Sequence, residues 1–214
     1  MKVCGLVLAA GLSSRMGDFK PLMDLNGKPV IVRTVESMLS AGVSPVTVVL
    51  GNRADEVTQV LQAAIPPEAI RIALNPDYAT TDMLTSIKIG IRALPEDCAA
   101  FFLLPGDMPA VRKSTYDRIR TEMEATHAAA VFPLIQGFRR HPPLIRTDII
   151  DEILAFAGSG GLKSFWNQYK GVVAQAPVDD PGCWLDMDTL EDYQRLAAYL
   201  KGNESESGSQ LSGF

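Results

Sequence analysis

The chain has 214 residues, 47% of them hydrophobic and 21% charged, with a formal net charge of −5. That length and balance suit one soluble globular domain with a sizeable core, and the acidic total lacks the basic footprint of a general nucleic-acid binder, so no nucleic-acid partner is expected. No apolar run approaches the ~20 residues of a membrane helix and the start lacks signal-peptide form, so the expectation is a cytoplasmic protein with no membrane partner.

The first element is an apolar run at residues 3–8, read as a buried strand. It empties into Ala9-Ala10-Gly11-Leu12-Ser13-Ser14-Arg15-Met16-Gly17, with Lys20 just beyond. Small side chains let backbone N–H groups come close to an anion, and Arg15 and Lys20 can neutralise phosphate charge. A Walker A loop is excluded, because Asp18 follows Gly17 where lysine should stand, and G-x-G-x-x-G is absent. A generic tight β–α turn is the bland alternative. The loop is longer than such a turn needs, and its two cations point instead to a triphosphate site.

Further strand-like runs follow at 46–50, 70–74, 99–104, 129–133 and 172–176. Helical stripes stand between them: Ile31, Val35, Met38 and Leu39, then Leu84, Ile87, Ile91 and Leu94. Alternating strands and helices imply right-handed crossovers and a mostly parallel sheet with helices on both faces, a three-layer α/β/α sandwich. Ligands collect at the carboxyl ends of such strands, so the loops after Leu8 and after Leu104 should share one rim. Near the end, Thr189 reads as an N-cap with Asp192 as a shortened capping box, and Leu190, Tyr193, Ala197 and Leu200 give the last helix its apolar stripe. The domain is therefore placed at residues 1–201; residues 202–214 lack apolar periodicity and read as a disordered tail. Cys4, Cys98 and Cys183 form neither a disulfide framework nor a zinc pattern and read as packing residues.

Several segments carry groups suited to chemistry. Asn75-Pro76-Asp77-Tyr78 leads into Met83-Leu84-Thr85-Ser86, where a helix N-terminus would attract an anion and let Thr85 and Ser86 meet a phosphate. Asp107 follows four apolar residues and sits between Gly106 and Pro109, a rigid setting that aims its carboxylate at the rim. Mg²⁺ favours a few carboxylates plus phosphate oxygens and waters, which makes Asp107 a sensible ligand. In Trp184-Leu185-Asp186-Met187-Asp188-Thr189, an extended chain would put Asp186 and Asp188 on one face, with Asp188 either a second ligand or support for the cap. Gly137-Phe138-Arg139-Arg140-His141-Pro142-Pro143 and Gly158-Ser159-Gly160-Gly161 are loops for a second substrate or plain turns, and His127 reads as exposed.

The string Leu8-Ala9-Ala10-Gly11-x-Ser13-Ser14-Arg15-Met16-Gly17-x-x-Lys20 resembles the signature of the molybdenum cofactor nucleotidyltransferases, and its Leu-Ala-Ala-Gly form is similar to their cytidylyl branch. Pro105-Gly106-Asp107-Met108-Pro109 resembles the family's Gly-Asp-Met-Pro motif, and Asp186-Met187-Asp188-Thr189-x-Glu191-Asp192 its Asp-x-Asp-Thr-x-Glu-Asp ending. The resemblance implies a Rossmann-like, glycosyltransferase-A-like fold that binds an NTP, CTP by the branch, through Leu8, Ala9, Ala10, Gly11, Ser13, Ser14, Arg15, Lys20, Asn75 and Ser86. It implies Mg²⁺ on Asp107 and Asp188, catalytic roles for Arg15, Lys20 and Asp107, and a phosphate-bearing acceptor such as molybdopterin at His141, Pro142, Gly160 and Gly161. A molybdenum enzyme is the implied partner. The alternatives are a GTP-using or sugar- or polyol-phosphate relative, and a non-catalytic nucleotide-binding accessory protein. The chain departs from the family pattern at Thr81–Asp82, where a glycine is usual, and at Arg140, which replaces the second glycine of Gly-x-x-Gly-His-Pro.

Overall fold

The computed structural model describes residues 1–11 and 19–209, with the backbone alone from residue 203. In chain order the elements are β1 (Val3–Ala9), β2 (Asp24–Leu25), β3 (Lys28–Pro29), α1 (Val30–Ser40), β4 (Val46–Leu50), α2 (Ala54–Ala64), β5 (Ile70–Leu74), α3 (Met83–Arg92), β6 (Ala100–Pro105), α4 (Lys113–Thr126), β7 (Ala130–Ile135), β8 (Phe138–Arg139), β9 (Leu144–Arg146), α5 (Ile150–Ala155), α6 (Gly161–Gln168), β10 (Val173–Pro177) and α7 (Leu190–Ser209). The main sheet runs β10-β7-β9-β6-β1-β4-β5, with β8 paired to β7. Its described strands are parallel except β8 and β9, which run the other way.

Side-chain alternation along the central strands builds two cores, one on each face of the sheet. Val3, Val7 and Ala9 pack with α1, α2 and α4, whereas Cys4, Leu6 and Ala10 pack with α3, α5 and α6. In β6, Phe102 and Leu104 join the first layer, and Phe101 and Leu103 the second. Ile31, Val35 and Met38 are fully buried along α1, while Leu94 lies just beyond the end of α3. The three cysteines are free and buried.

All six strand runs read from the sequence are present. Periodicity did not reveal β9, which slots antiparallel between β6 and β7. Leu144 and Ile145 are fully buried there, but a three-residue run after Pro142-Pro143 is too short to show alternation. The stripe of the last helix also differs from expectation. Leu190 is 63% exposed and Leu196 is fully buried, so the packed face is Tyr193, Leu196, Ala197 and Leu200, set against Leu25, Val30, Ala110 and Met187. The Thr189–Asp192 cap is as expected: the Asp192 amide donates to Thr189 Oγ1 at 3.1 Å and the Thr189 amide donates to Asp192 Oδ2 at 2.9 Å. The Tyr193 hydroxyl donates to the Asp24 carbonyl at 2.9 Å, tying α7 to the β2–β3 hairpin. The backbone stays helical to Ser209, past Lys201 where the apolar pattern stops. Among the described residues no helix is long and apolar enough to cross a membrane.

Candidate active site

The pairing of Leu8 with Pro105 sets the ends of β1 and β6 side by side at the carboxyl edge of the sheet. The Gly106 amide donates to the Leu8 carbonyl at 2.8 Å. A Cβ at Gly106 would meet the Ala9 Cβ and the Leu8 carbonyl oxygen, both at 3.0 Å, so this close approach is made possible by glycine. Asp107 emerges directly from it. Lys20, only 8% exposed, opens a 3-10 turn at Lys20–Leu22 and turns its ammonium to the same spot. Its Nζ lies 2.6 Å from Asp188 Oδ1 and 3.6 Å from Asp107 Oδ2.

Asp188 reaches this rim because of a residue that sequence reasoning passed over. Asp180, just before the Pro181–Cys183 turn, is 2% exposed. Its Oδ2 accepts from the Arg112 amide at 2.8 Å and from Thr115 Oγ1 at 2.6 Å, and its Oδ1 accepts from the Gly182 amide at 2.9 Å. A Cβ at Gly182 would fall 2.0 Å from the Ala110 carbonyl oxygen. The turn is thus pinned flat on the start of α4, and fully buried Met187 leaves Asp186 exposed and Asp188 half-buried towards Lys20. The only hint in the sequence was Asp180-Pro181-Gly182, an ordinary turn signal.

The electrostatics follow from crowding. Burial is the largest influence on Asp107 and pushes its carboxyl above the usual aspartate range, with Lys20 pulling it back down. Asp186, though exposed, is also raised, first by partial desolvation and then by the charges of Asp107 and Asp188. Among the described residues the Lys20 ammonium thus stands near Asp107, Asp186 and Asp188, and the carboxyls of Asp107 and Asp186 are held above their usual range. Carboxylate oxygens without thiolate or imidazole suit Mg²⁺ or Mn²⁺, and Asp107 and Asp188 already converge on a single cation. Among the described residues no group of three or more His, Cys, Asp or Glu side chains forms a closed metal cage. An ion here would complete its coordination with water and phosphate oxygens.

Two cavities open from this rim. The smaller, of about 350 Å³, is lined by Leu8, Ala9, Ala10, Gly11, Lys20, Ser86 and Asp107 of the expected site residues. The larger, of about 730 Å³, is lined by His141, Gly160 and Gly161. Leu8, Asp82, Met83 and Pro105 line both, so the cavities meet at one wall. Ser13, Ser14 and Arg15 lie outside the described residues.

The remaining expected residues are placed variously. Asn75 is 2% exposed and lines neither cavity; its amide donates to Thr81 Oγ1 at 3.1 Å and Ser86 Oγ at 3.0 Å, and its Oδ1 accepts from the Asp77 amide at 3.1 Å. Its polar atoms are spent on fastening the loop before α3. The α3 N-terminus, read as an anion site, already carries its own anion: Asp82 Oδ1 accepts from the Thr85 amide and Thr85 Oγ1, each at 2.9 Å. Those bonds hold the Asp82 carboxyl below its usual range. Pro142 is buried and lines neither cavity, whereas Pro143 lines the larger one. The glycines at 158–161 lead into α6, with Gly160 at φ 88° as its N-cap. His141 lines the larger cavity with a half-buried ring whose pKa is pushed down, chiefly by desolvation, against the opposing pull of the Leu103 carbonyl and the Asp107 charge. Cys183 is 1% exposed, and burial raises its thiol pKa, as a packing residue requires.

Residues 5–172 match the model of the MobA-like NTP transferase domain. The chain is 33% identical over 189 residues to the molybdenum cofactor cytidylyltransferase of Escherichia coli (strain K12), covering 88% of this chain and 92% of that one. It is 31% identical over 174 residues to CMP-5'-(3-aminopropyl)phosphonate synthase of Streptomyces rubellomurinus (strain ATCC 31215), covering 76% of this chain but only 27% of that longer protein. Among solved structures, a nucleotidyl transferase from Methanothermobacter thermautotroptrophicus superposes with a TM-score of 0.76 at 27% identity, over 94% of this chain and 98% of its own.

Proposed function

The chain belongs to the MobA-like NTP transferase domain family, and from that premise we propose that it is a divalent-metal-dependent cytidylyltransferase that moves CMP from CTP to the phosphate of molybdopterin. The observation that carries this reading is the shared wall of the two cavities, beside which Lys20, Asp107 and Asp188 converge. The smaller cavity takes the nucleotide; the larger takes the acceptor. An acceptor phosphate oxygen attacks the α-phosphorus in line, the new P–O bond forms as the α–β bridging P–O bond breaks, and pyrophosphate leaves with that electron pair. Such chemistry needs positioning and charge neutralisation more than a strong base.

Each residue then has a task. The small residues Ala9, Ala10 and Gly11 let the backbone approach the triphosphate, and Ser86 borders it. Lys20 leaves its carboxylate partners for a phosphate oxygen, and Arg15 joins it there. Asp107 and Asp188 hold the metal, which supplies charge neutralisation at the phosphate oxygens when bound. His141, Gly160 and Gly161 border the acceptor. The Ala10 methyl, where a glycine would leave more space, restricts room for a purine base. The two relatives quoted above are named for CMP or cytidylyl transfer, which supports CTP as donor.

The test is pyrophosphate release from CTP, GTP, UTP and ATP with Mg²⁺, with and without purified molybdopterin. Release from CTP that depends on the acceptor is the expected result. Preference for GTP would replace the cytidylyl assignment, and tight nucleotide binding with no pyrophosphate release would favour a non-catalytic accessory role.

A further inference from the structure

Among the described residues, four buried side-chain polar atoms have no hydrogen-bond partner: Thr47 Oγ1, Arg140 Nε, His141 Nδ1 and Trp166 Nε1. Three of the four belong to residues that line the larger cavity. Leaving a buried donor or acceptor unpaired is costly, so each such atom in a native structure calls for a partner or a role. Arg140 is the strongest of the three. Its guanidinium lies 5.5 Å from the Phe138 ring centroid and 5.6 Å from that of Trp184, yet its side chain has no ion pair or hydrogen bond among the described residues. Two aromatic contacts restrain the group while its donors remain unused, which suits a preformed anion reader. Arg140 also stands where the Gly-x-x-Gly-His-Pro pattern that this loop resembles has its second glycine. The same cavity is lined by two aromatic rings, Phe132 and Trp166, which meet edge to face at 5.6 Å, with the Arg139 guanidinium 5.1 Å from the Phe132 centroid.

We propose that Arg140 is a specificity-determining residue that selects acceptors joining a planar ring to an anionic group, and so discriminates against both neutral ring compounds and ring-free polyol phosphates. This rests on the assignment of the larger cavity to the acceptor. The ring lies against the aromatic lining of the cavity, and the Arg140 fork takes the anionic group.

A matched set of probes separates these contributions: flavin mononucleotide carries ring and phosphate, riboflavin the ring alone, ribitol phosphate the phosphate alone. Binding of the two flavins is read by flavin fluorescence anisotropy and that of ribitol phosphate by displacement, in the presence of saturating CTP and Mg²⁺. The wild-type chain should bind flavin mononucleotide about tenfold or more tightly than either fragment, the range of one charge-assisted hydrogen-bonded contact. Arg140→Gln keeps a side chain of similar length without the charge. It should reduce the preference over riboflavin to about threefold or less while leaving riboflavin and CTP binding as in the wild type. Arg140→Lys should restore part of it. A preference that survives Arg140→Gln, or a wild-type chain that binds the fragments as well as the whole, overturns the proposal. Displacement of flavin mononucleotide by CTP would instead refute the two-cavity reading beneath it, and absence of pyrophosphate release with any acceptor would refute nucleotidyl transfer while leaving an Arg140-dependent preference standing.

Discussion

Lys20 and Asp188, 168 residues apart in sequence, are joined by a hydrogen-bonded ion pair of 2.6 Å. The same ammonium stands 3.6 Å from Asp107. The lysine thus occupies the position between carboxylates that a divalent cation would claim. It offsets the mutual repulsion of these carboxylates, and on the proposed function nucleotide arriving with metal would offer both the lysine and the carboxylates better-matched partners.

Removing either carboxylate tests the machinery directly. Asp107→Asn and Asp188→Asn should each lower acceptor-dependent pyrophosphate release by about 10²–10³, the usual consequence of deleting a preorganised charge partner. Both side chains are at the rim rather than in the core, so thermal unfolding should shift little. Near-normal turnover in both variants would remove them from the mechanism.

Lys20→Met separates the two roles of the lysine. Without the ammonium, the Lys20 charge no longer competes for Asp107 and Asp188, so Mn²⁺ should bind the nucleotide-free variant about tenfold more tightly than the wild type. Turnover should still fall by about 10²–10³ because the phosphate loses its cation. Titration followed by electron paramagnetic resonance of free Mn²⁺ gives the first quantity. Unchanged Mn²⁺ affinity would mean that lysine and metal do not compete for one place.

The legible parts of this molecule are those whose cause is local. Central strands buried on both faces are continuous apolar runs, and the six read from the sequence all occur in the sheet. Asp107 was legible because a strand end followed by Gly106 fixes where a carboxylate must point. The Thr189–Asp192 cap was legible because both partners lie within one turn. By contrast, β9 is defined by the strands on either side of it. Asn75 has the right chemistry for a ligand contact, yet its hydrogen-bonding capacity is taken up by Thr81, Ser86 and Asp77. Asp180 escaped notice because the donors to its Oδ2 lie on α4 and its approach, 65 and 68 positions upstream.

Asp180 should accordingly be a stability determinant with a functional echo. Asp180→Ala would strand the Arg112 and Gly182 amides and the Thr115 hydroxyl, all now paired to the carboxylate. Loss of a buried network of this kind typically costs about 3 kcal/mol or more. Urea denaturation should show a lower midpoint at an unchanged slope. Turnover should also fall below native conditions' wild-type level, since residues 181–188 would no longer be pinned against α4. An unchanged midpoint would show that the carboxylate is not the anchor.

His141 gives the fold a signed pH dependence. Its folded-state pKa lies below the ordinary value of 6.5, first because burial disfavours the charged ring. As pH falls through 6.5 the unfolded chain takes up a proton that the folded chain refuses. In that window the unfolded state binds more protons, so stability rises with pH and is lost on acidification until the folded ring also titrates. The other histidine, His127, is exposed. Thermal unfolding should therefore occur lower at about pH 5.5 than at about pH 7.5, and His141→Gln, which cannot be protonated, should remove a measurable part of that difference, about 2 °C or more in Tm. If the variant retains the whole acid-side loss, the His141 ring is not its source.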